Sequence, residues 1–233
     1  MPAVLEVKDL HAWYGESHVL HGVDFDVQEG EVVTLLGRNG AGRTSTLRAI
    51  LGLTGSRKGS VLLRGQEVIG MATHRIARLG IGYCPEERAI FSSLSAEENL
   101  MLPPELAKGG MSVEQIYAMF PNLKERAASQ GTRLSGGEQQ MLAVARILRT
   151  GARLLLLDEM SEGLAPVIVQ KLAEMVLTLR KQGYTIVMVE QNFRFAAPLA
   201  DRFFVMEHGR VLQVFTQAEL PANTERLHEY LGV

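Results

Sequence analysis

The chain has 233 residues, of which 46% are hydrophobic and 21% are charged, and its formal net charge is −2. This is the composition of a globular protein with room for a sizeable core, and the near-neutral charge argues against nucleic acid as the main partner. A single cysteine excludes an intrachain disulfide framework. No apolar run approaches the roughly 18–20 residues that span a bilayer, and the first residues lack a secretory signal pattern, so we expect a cytoplasmic protein.

The first part of the chain alternates short β-like runs with glycine-containing turns. Apolar and polar residues alternate within these runs, and this pattern predicts strands. The expected strands cover residues 4–10, 23–27, 31–36, 60–64, 67–69 and 81–84. Two helices are expected between them, at 44–53 and at 74–79.

Residues 91–131 differ in character from the segments on either side. They show no β alternation, and proline and glycine residues separate several helix-like pieces. These pieces cover residues 96–101, 113–120 and 123–129. We interpret the segment as a helical subdomain inserted into an α/β core.

The remainder of the chain alternates helices with strands. The expected helices cover 137–149, 167–182 and 193–200, and the expected strands cover 153–157, 184–189 and 202–206. This alternation is typical of a doubly wound, mostly parallel sheet. We therefore predict one α/β domain over 1–233, with a core formed by 1–90 and 132–233, an antiparallel β patch, and the helical subdomain at 91–131.

A glycine-rich stretch follows the third expected strand and opens a helix. Its setting and spacing are those of a P-loop, whose pattern is G-x-x-x-x-G-K-[ST]. Glycines let the backbone wrap closely around phosphate oxygens, and amides at a helix N-terminus supply positive potential. The residues expected to bind nucleotide here are Gly37, Arg38, Asn39, Gly40, Ala41, Gly42, Arg43, Thr44 and Ser45.

This stretch predicts a P-loop NTPase core with one departure from the pattern. Arg43 stands where lysine is usual, and arginine keeps the charge but brings a larger planar group into the loop. Thr44 stands where a hydroxyl would bind Mg²⁺. Taken alone, the stretch could also be a tight strand-to-helix turn without a ligand.

An apolar run that ends in two acids completes the first candidate site. Four leucines precede Asp158 and Glu159, as expected of a strand buried on both faces of a parallel sheet. Ligands bind beyond the carboxyl ends of such strands. Asp158 is therefore a candidate Mg²⁺ ligand, and Glu159 is the candidate that polarises an attacking water.

A second candidate anion site lies more than ninety residues beyond the first. Ser135-Gly136-Gly137-Glu138 precedes a long helix, so its amides would be exposed at the positive end of a helix dipole. With Leu134 this segment resembles the LSGGQ signature of the ABC ATPase family, with Glu138 in place of the glutamine. The resemblance implies that two subunits sandwich ATP between the P-loop of one and the signature helix of the other.

Nearly the whole chain shares this resemblance, and several segments are similar to the ATPases of branched-chain amino-acid importers. These segments are Tyr14-Gly15, Gly82-Tyr83-Cys84-Pro85-Glu86-Glu87-Arg88, residues 161–166 and Val189-Glu190-Gln191-Asn192. The resemblance implies an ATPase that uses ATP and Mg²⁺ and pairs with a second ATPase subunit, identical or different. It also implies transmembrane permease subunits, an indirect link to a periplasmic or extracellular solute-binding protein, and a place on the inner face of the cell membrane.

The resemblance extends to three further site residues. Tyr14 stands where the family stacks an aromatic ring on adenine, with Trp13 as the rival. Glu86 occupies a position at which glutamine normally contacts Mg²⁺ and water, and Gln191 occupies one at which most members carry a histidine. Glu86 adds negative charge beside a triphosphate, while Gln191 can donate a hydrogen bond but carries no charge.

Two functions remain open at this point. The first is an active transport ATPase, in which Glu159, Arg43 and Gln191 act on ATP. The alternative is a regulatory subunit of an asymmetric ATPase heterodimer, because Arg43, Glu86 and Gln191 all fall in one site while residues 135–138 stay close to the family pattern. An ABC ATPase of DNA repair or translation is disfavoured, because the chain has neither a tandem ATPase domain nor a long coiled-coil insertion.

Overall fold

The computed structural model of the chain describes residues 3–231, apart from the side chain of His228. Two sheets organise these residues, one with four strands and one with six. The strands are β1 (Ala3–Tyr14), β2 (Ser17–Gln28), β3 (Val32–Leu36), β4 (Ser56–Leu63), β5 (Gln66–Glu67), β6 (Ile81–Cys84), β7 (Leu154–Asp158), β8 (Thr185–Glu190), β9 (Arg202–Glu207) and β10 (Arg210–Thr216).

Helices cover both faces of the larger sheet or connect its strands. They are α1 (Arg43–Ile50), α2 (Thr73–Ala77), α3 (Ala96–Met101), α4 (Val113–Met119), α5 (Pro121–Glu125), α6 (Gly136–Arg149), α7 (Pro166–Lys181), α8 (Phe193–Ala196) and α9 (Leu220–Leu231). Two 3₁₀ turns lie at Gly131–Arg133 and Gln217–Glu219. In the part of the chain that is described, no helix is both long enough and apolar enough to span a bilayer.

The six-stranded sheet has the order β10-β9-β3-β8-β7-β6, and all its neighbours are parallel except β10 and β9. Every residue of β3, β7 and β8 is buried, as expected where helices or a second sheet cover both faces. Leu36 pairs with Glu190, and Asp158 pairs with Val189, so β3, β7 and β8 end at one edge. The loops after these strands therefore meet there.

The antiparallel sheet has the order β2-β1-β4-β5, and it packs with α1 and α2 against one face of the parallel sheet. The opposite face carries a second core that α6, α7 and α9 share with the helices of segment 91–131. Ile116 of α4, Leu123 of α5 and Phe120 between the two helices are buried in this core. The predicted fold class, a P-loop core with a mostly parallel sheet and an antiparallel patch, is confirmed; residues 91–131 as a separate subdomain stay a prediction.

The strands β1 and β2 are each 12 residues long, much longer than the sequence pattern predicts. Their pairing contains register shifts around Leu10, and Asp9 has a φ of 47°. A bulge breaks the alternation of inward and outward side chains. A prediction from alternating apolar and polar residues therefore ends the strand at Leu10, although β1 continues to pair with β2 as far as Tyr14.

Two expected helices need correction, and two elements were missed. The helix expected at 123–129 begins at Pro121, which occupies the first turn rather than separating two helices. The helix expected at 193–200 ends at Ala196. Strand β10 and helix α9 were not expected at all. The exposed positions of β10 include Leu212 and Val214, so its pattern lacks the polar outer face of a typical edge strand.

Candidate functional site

The glycine-rich stretch (the P-loop, residues 37–45) connects β3 to α1 and forms a cradle. Gly42 caps α1 with a φ of 100°, which only glycine adopts readily. A Cβ at Gly37 would lie 2.5 Å from the carbonyl oxygen of Met206, so a side chain is excluded there as well. Asn39, Gly40, Ala41, Gly42, Arg43, Thr44 and Ser45 line a cavity of about 310 Å³. The Arg38 side of the loop faces a neighbouring cavity of about 320 Å³.

Arg43 lines this cavity and contacts Glu159, the residue that follows β7. Its Nη2 lies 2.7 Å from Oε1 of Glu159 and donates a weaker hydrogen bond, 3.3 Å long, to Oδ1 of Asn39. The Arg43 side chain is only 4% exposed, and that of Glu159 is 10% exposed. Nη1 of Arg43 is also buried but has no hydrogen-bond partner among residues 3–231. The predicted catalytic pair is thus in direct contact, with one guanidinium nitrogen left unpaired.

The backbone of Glu159 is held in an uncommon conformation. Its φ is 46°, in the left-handed region that residues with a Cβ seldom occupy. Its amide donates a 2.9 Å hydrogen bond to the carbonyl of Val189 on β8. Burial raises the pKa of Glu159 well above its ordinary value, and the carboxyl of Glu162 acts in the same direction, while Arg43 opposes both. Such strain and such a shift are common where a side chain is aimed at a ligand.

Asp158 is fully buried and receives two hydrogen bonds from other elements. Thr44 Oγ1 donates to Oδ1 at 2.9 Å, and the Tyr83 hydroxyl donates to Oδ2 at 3.1 Å. Burial raises the pKa of Asp158, while the two donors lower it. Sequence reasoning did not select Tyr83, whose place on β6, next to β7, was the available signal. Hydroxyl and carboxylate oxygens are ligands suited to Mg²⁺, so Thr44 and Asp158 fit their predicted metal role.

Glu86 is exposed and lines the same cavity as the P-loop. One carboxylate oxygen from each of Glu86, Glu159 and Glu162 lies within 4.8 Å of the others. Gln191 is exposed too, and it lines an adjoining cavity of about 270 Å³ with Glu159 and Glu162. The structure therefore brings Glu86 and Gln191 close to the acids after β7, as the predicted site requires.

Glu190 is a buried acid that the sequence analysis did not select. It ends β8, and its carboxylate accepts hydrogen bonds from Ser161 Oγ at 2.8 Å and from the Ser161 amide at 3.3 Å. Burial raises the pKa of Glu190 to about 7, against these two donors. The contact ties the loop after β7 to β8. In the sequence, only the position of Glu190 beside Gln191 indicated that it could belong to the site.

The signature segment (residues 135–138) starts α6 and is built locally. Ser135 caps the helix: its Oγ accepts from the Glu138 amide at 3.3 Å, and Glu138 Oε2 accepts from the Ser135 amide at 2.7 Å. Gly136 and Gly137 form the first turn. None of the four lines the P-loop cavity, so within this chain the two predicted anion sites are separate.

The two candidate adenine platforms differ in how far their rings are already covered. Trp13 stacks on His18 with ring centroids 4.3 Å apart, and the Lys58 ammonium lies 5.7 Å from its ring centre. Tyr14 is 37% exposed. Neither ring lines the P-loop cavity. Tyr14 is the better candidate because its ring is the more accessible of the two.

Known proteins resemble this chain in both sequence and structure. The family model described as "ABC transporter" matches residues 20–162. The high-affinity branched-chain amino acid transport ATP-binding protein BraG of Pseudomonas aeruginosa is 40% identical over 238 residues, which cover 98% of this chain and all of BraG. The lipopolysaccharide export system ATP-binding protein LptB of Acidithiobacillus ferridurans is 30% identical over 237 residues, covering all of this chain and 98% of LptB.

The fold has a counterpart among solved structures. A structure described as the ATP binding subunit of an ABC transporter superposes with a TM-score of 0.81 at 27% identity. It covers 99% of this chain and is itself covered completely. The similarity thus includes both sheets and the helices of residues 91–131, not only the P-loop.

Proposed function

Since the chain belongs to the ABC transporter family and is an ATPase of that family, we propose that it powers an importer for branched-chain amino acids or similar solutes. The observation that carries the ATPase chemistry is the contact of the P-loop with the two acids at the end of β7 and just beyond it, through Thr44 with Asp158 and Arg43 with Glu159. The solute class rests on the full-length similarity to BraG.

The P-loop would bind the phosphates of ATP. Backbone amides at the start of α1 supply positive potential, and the unpaired Nη1 of Arg43 offers a donor to a phosphate oxygen. The exposed ring of Tyr14 would stack on adenine. Thr44 and Asp158, with Glu86 at the rim of the cavity, would hold Mg²⁺, which when bound offsets the phosphate charge.

Hydrolysis needs a water in line with the bond between the γ-phosphorus and the bridging oxygen. Glu159 would orient this water and accept its proton as the oxygen attacks the γ-phosphorus and ADP leaves. Its backbone, fixed by the bond to Val189, directs the carboxylate toward the P-loop cavity. Gln191 would donate a hydrogen bond from the adjoining side.

A second ATPase subunit would complete each site. The signature segment of this chain does not reach its own P-loop cavity, so we propose that it caps a nucleotide bound to a partner subunit. Its amides lie at the N-terminus of α6, a helix of 14 residues, which favours an anion.

We further propose that a transmembrane permease docks near Phe91. This side chain is 52% exposed, and the Arg146 guanidinium lies 5.3 Å from its ring centre. Asn99 binds the backbone of Phe91 through two hydrogen bonds and thereby joins this loop to α3. Met101, at the end of α3, is 52% exposed as well. Such a complex would hold the chain on the inner face of the membrane, with a solute-binding protein on the other side.

The test is solute uptake by cells that lack this chain and are complemented with it. We expect the wild-type chain to restore uptake of labelled leucine or a similar solute, and Glu159→Gln to fail although it is produced at the same level. Restoration of lipopolysaccharide export instead would contradict the importer proposal and favour the activity named for LptB.

The second candidate function is a regulatory subunit that binds nucleotide at a poorly hydrolysing site. The observation that favours it is the contact of Arg43 with Glu159, which engages the catalytic acid. ATP turnover by the chain with its partner separates the two candidates. If Arg43→Lys leaves the rate unchanged while Glu159→Gln abolishes it, the site of this chain is fully active and the regulatory candidate is wrong.

A further inference from the structure

The side chain of Arg43 is engaged by two groups of its own chain. Nη2 contacts Glu159 at 2.7 Å and Asn39 at 3.3 Å, and both contacts lie inside the P-loop cavity. Burial leaves little water to replace either partner, since the Arg43 side chain is only 4% exposed. The guanidinium therefore forms part of the wall of the cavity in which the P-loop would receive phosphate.

The same guanidinium is not saturated. Nη1 is buried without a hydrogen-bond partner among the described residues, although a buried donor is normally paired. A phosphate oxygen in the cradle would supply that partner. A triphosphate carries more negative charge than one carboxylate, and bidentate contact with an oxyanion is the strongest pairing that a guanidinium makes. A γ-phosphate therefore competes with Glu159 for Arg43.

We propose that the Arg43–Glu159 ion pair is a latch that a nucleoside triphosphate opens. The γ-phosphate takes the guanidinium, and the carboxylate of Glu159 is released to orient water. A diphosphate has no γ-phosphate and leaves the latch closed, so the pair makes the site selective for triphosphate. This inference rests on the proposed ATP-binding function and adds a specificity-determining role for Arg43.

Arginine suits this role better than lysine. Its fork has two terminal nitrogens, so Nη1 can meet an incoming phosphate while Nη2 still contacts Glu159. The phosphate can then replace Glu159 as the partner of Arg43 without leaving a buried charge unpaired, which would be strongly unfavourable. The departure from the P-loop pattern at position 43 thus has a physical use.

The experiment measures the affinity of the chain for the Mg²⁺ complexes of AMP-PNP and ADP by calorimetry, at concentrations where sedimentation detects monomer. Glu159→Gln removes the latch acid. Its control is Glu162→Gln, which removes an equal charge from the same cavity but has no ion pair with Arg43. We expect Glu159→Gln to tighten AMP-PNP binding by about tenfold or more, and Glu162→Gln to tighten it only a few-fold.

A second pair of variants tests whether Arg43 carries the effect. In an Arg43→Met background, or Arg43→Gln if the first does not fold, the extra gain from Glu159→Gln should disappear. In the chain that retains Arg43, Glu159→Gln and Glu162→Gln should increase the affinity for ADP by the same factor. The latch proposal would be wrong if the two glutamate variants increased the affinity for AMP-PNP equally. It would also be wrong if Glu159→Gln still gave its extra increase in affinity when Arg43 is replaced.

The same measurements separate failure of the latch from failure of the proposed function. If wild-type and Arg43→Lys chains both show no affinity for Mg²⁺·AMP-PNP, the ATP-binding proposal and the latch are both wrong. If the chains bind nucleotide but the two glutamate variants behave alike, only the latch is wrong. Thermal unfolding of each variant without nucleotide verifies that it is folded.

Discussion

The P-loop and the signature segment are both helix N-termini suited to anions, but they are built in different ways. The P-loop depends on contacts between residues 116 and 114 positions apart, Arg43 with Glu159 and Thr44 with Asp158. The signature segment depends on a capping box between residues three positions apart. The first is a product of tertiary structure and carries the chemistry, while the second is a product of local sequence and presents backbone amides.

A glutamate that accepts hydrogen bonds from a serine lies in the signature segment, and another lies at the end of β8, beside the cavity that adjoins the P-loop cavity. Glu190 is buried and accepts from Ser161, which is 29 positions away in the chain. Glu138 is half-buried in the first turn of α6 and accepts from the Ser135 amide, three positions away. The comparison predicts that changes near the P-loop alter chemistry and pH dependence, whereas changes in the signature segment alter local stability and partner capping.

The largest expected effect follows from removing Glu159, the proposed general base. Glu159→Gln should lower ATP turnover at the chain's own site by about 10²–10⁴-fold, because a positioned general base typically contributes that much. Steady-state phosphate release by the chain with its partner measures this. Glu138→Gln is the counterpart in the signature segment, and it should lower turnover far less because it keeps the capping acceptor. Equal losses would break the comparison.

Glu190 should make stability depend on pH. Burial raises its pKa from 4.5 in the unfolded chain to about 7 in the folded protein, so the folded state binds the proton more tightly. The contribution of Glu190 to the free energy of unfolding is therefore fully favourable below about pH 4.5 and declines as the pH rises through 7. At about 1.4 kcal/mol per pKa unit, the total loss amounts to about 3–4 kcal/mol.

Urea unfolding of wild type and Glu190→Gln between pH 4.5 and 8 tests this expectation. The variant should lack this part of the decline, so that its stability relative to wild type improves as pH rises. Parallel pH profiles for the two chains would contradict it.

The two glycines of the signature segment should respond differently to alanine. A Cβ at Gly137 would lie 2.8 Å from side-chain carbons of Ile168 on α7, whereas one at Gly136 would meet the flexible end of Arg88 at 3.4 Å. Gly137→Ala should therefore destabilise the fold by about 1–3 kcal/mol through overpacking. Gly136→Ala should be close to neutral for folding. Chemical denaturation of both variants measures the difference, and equal destabilisation would show that the contact with α7 does not matter.

The smallest expected effect concerns the capping box. Glu138→Ala removes the acceptor for the Ser135 amide and should cost about 1 kcal/mol of stability, the usual value of a helix cap. Glu138→Gln retains an acceptor and should cost less. Urea unfolding of the two variants measures these losses, and equal losses would show that the acceptor does not matter.

Much of the fold could be predicted because its signals are local. The strand at 81–84 and the helix at 96–101 have the expected bounds, and the buried leucine run is strand β7. Prediction failed where a local pattern is interrupted or weak. The bulge after Val7 hides the second half of β1, and the apolar exposed positions of β10 conceal an edge strand.

Sequence alone located the glycine-rich loop before α1, the acids at the end of the buried leucine run, and the start of the signature helix, because each depends on residue types at short, fixed spacing. Only the tertiary structure decided that Arg43 meets Glu159, that Tyr83 supports Asp158, and that Glu190 is buried against Ser161. Those contacts join loops and strands that are neighbours only because parallel strands from distant parts of the chain end at one sheet edge. Their energies come from burial and pairing in the folded core, which residue spacing does not encode.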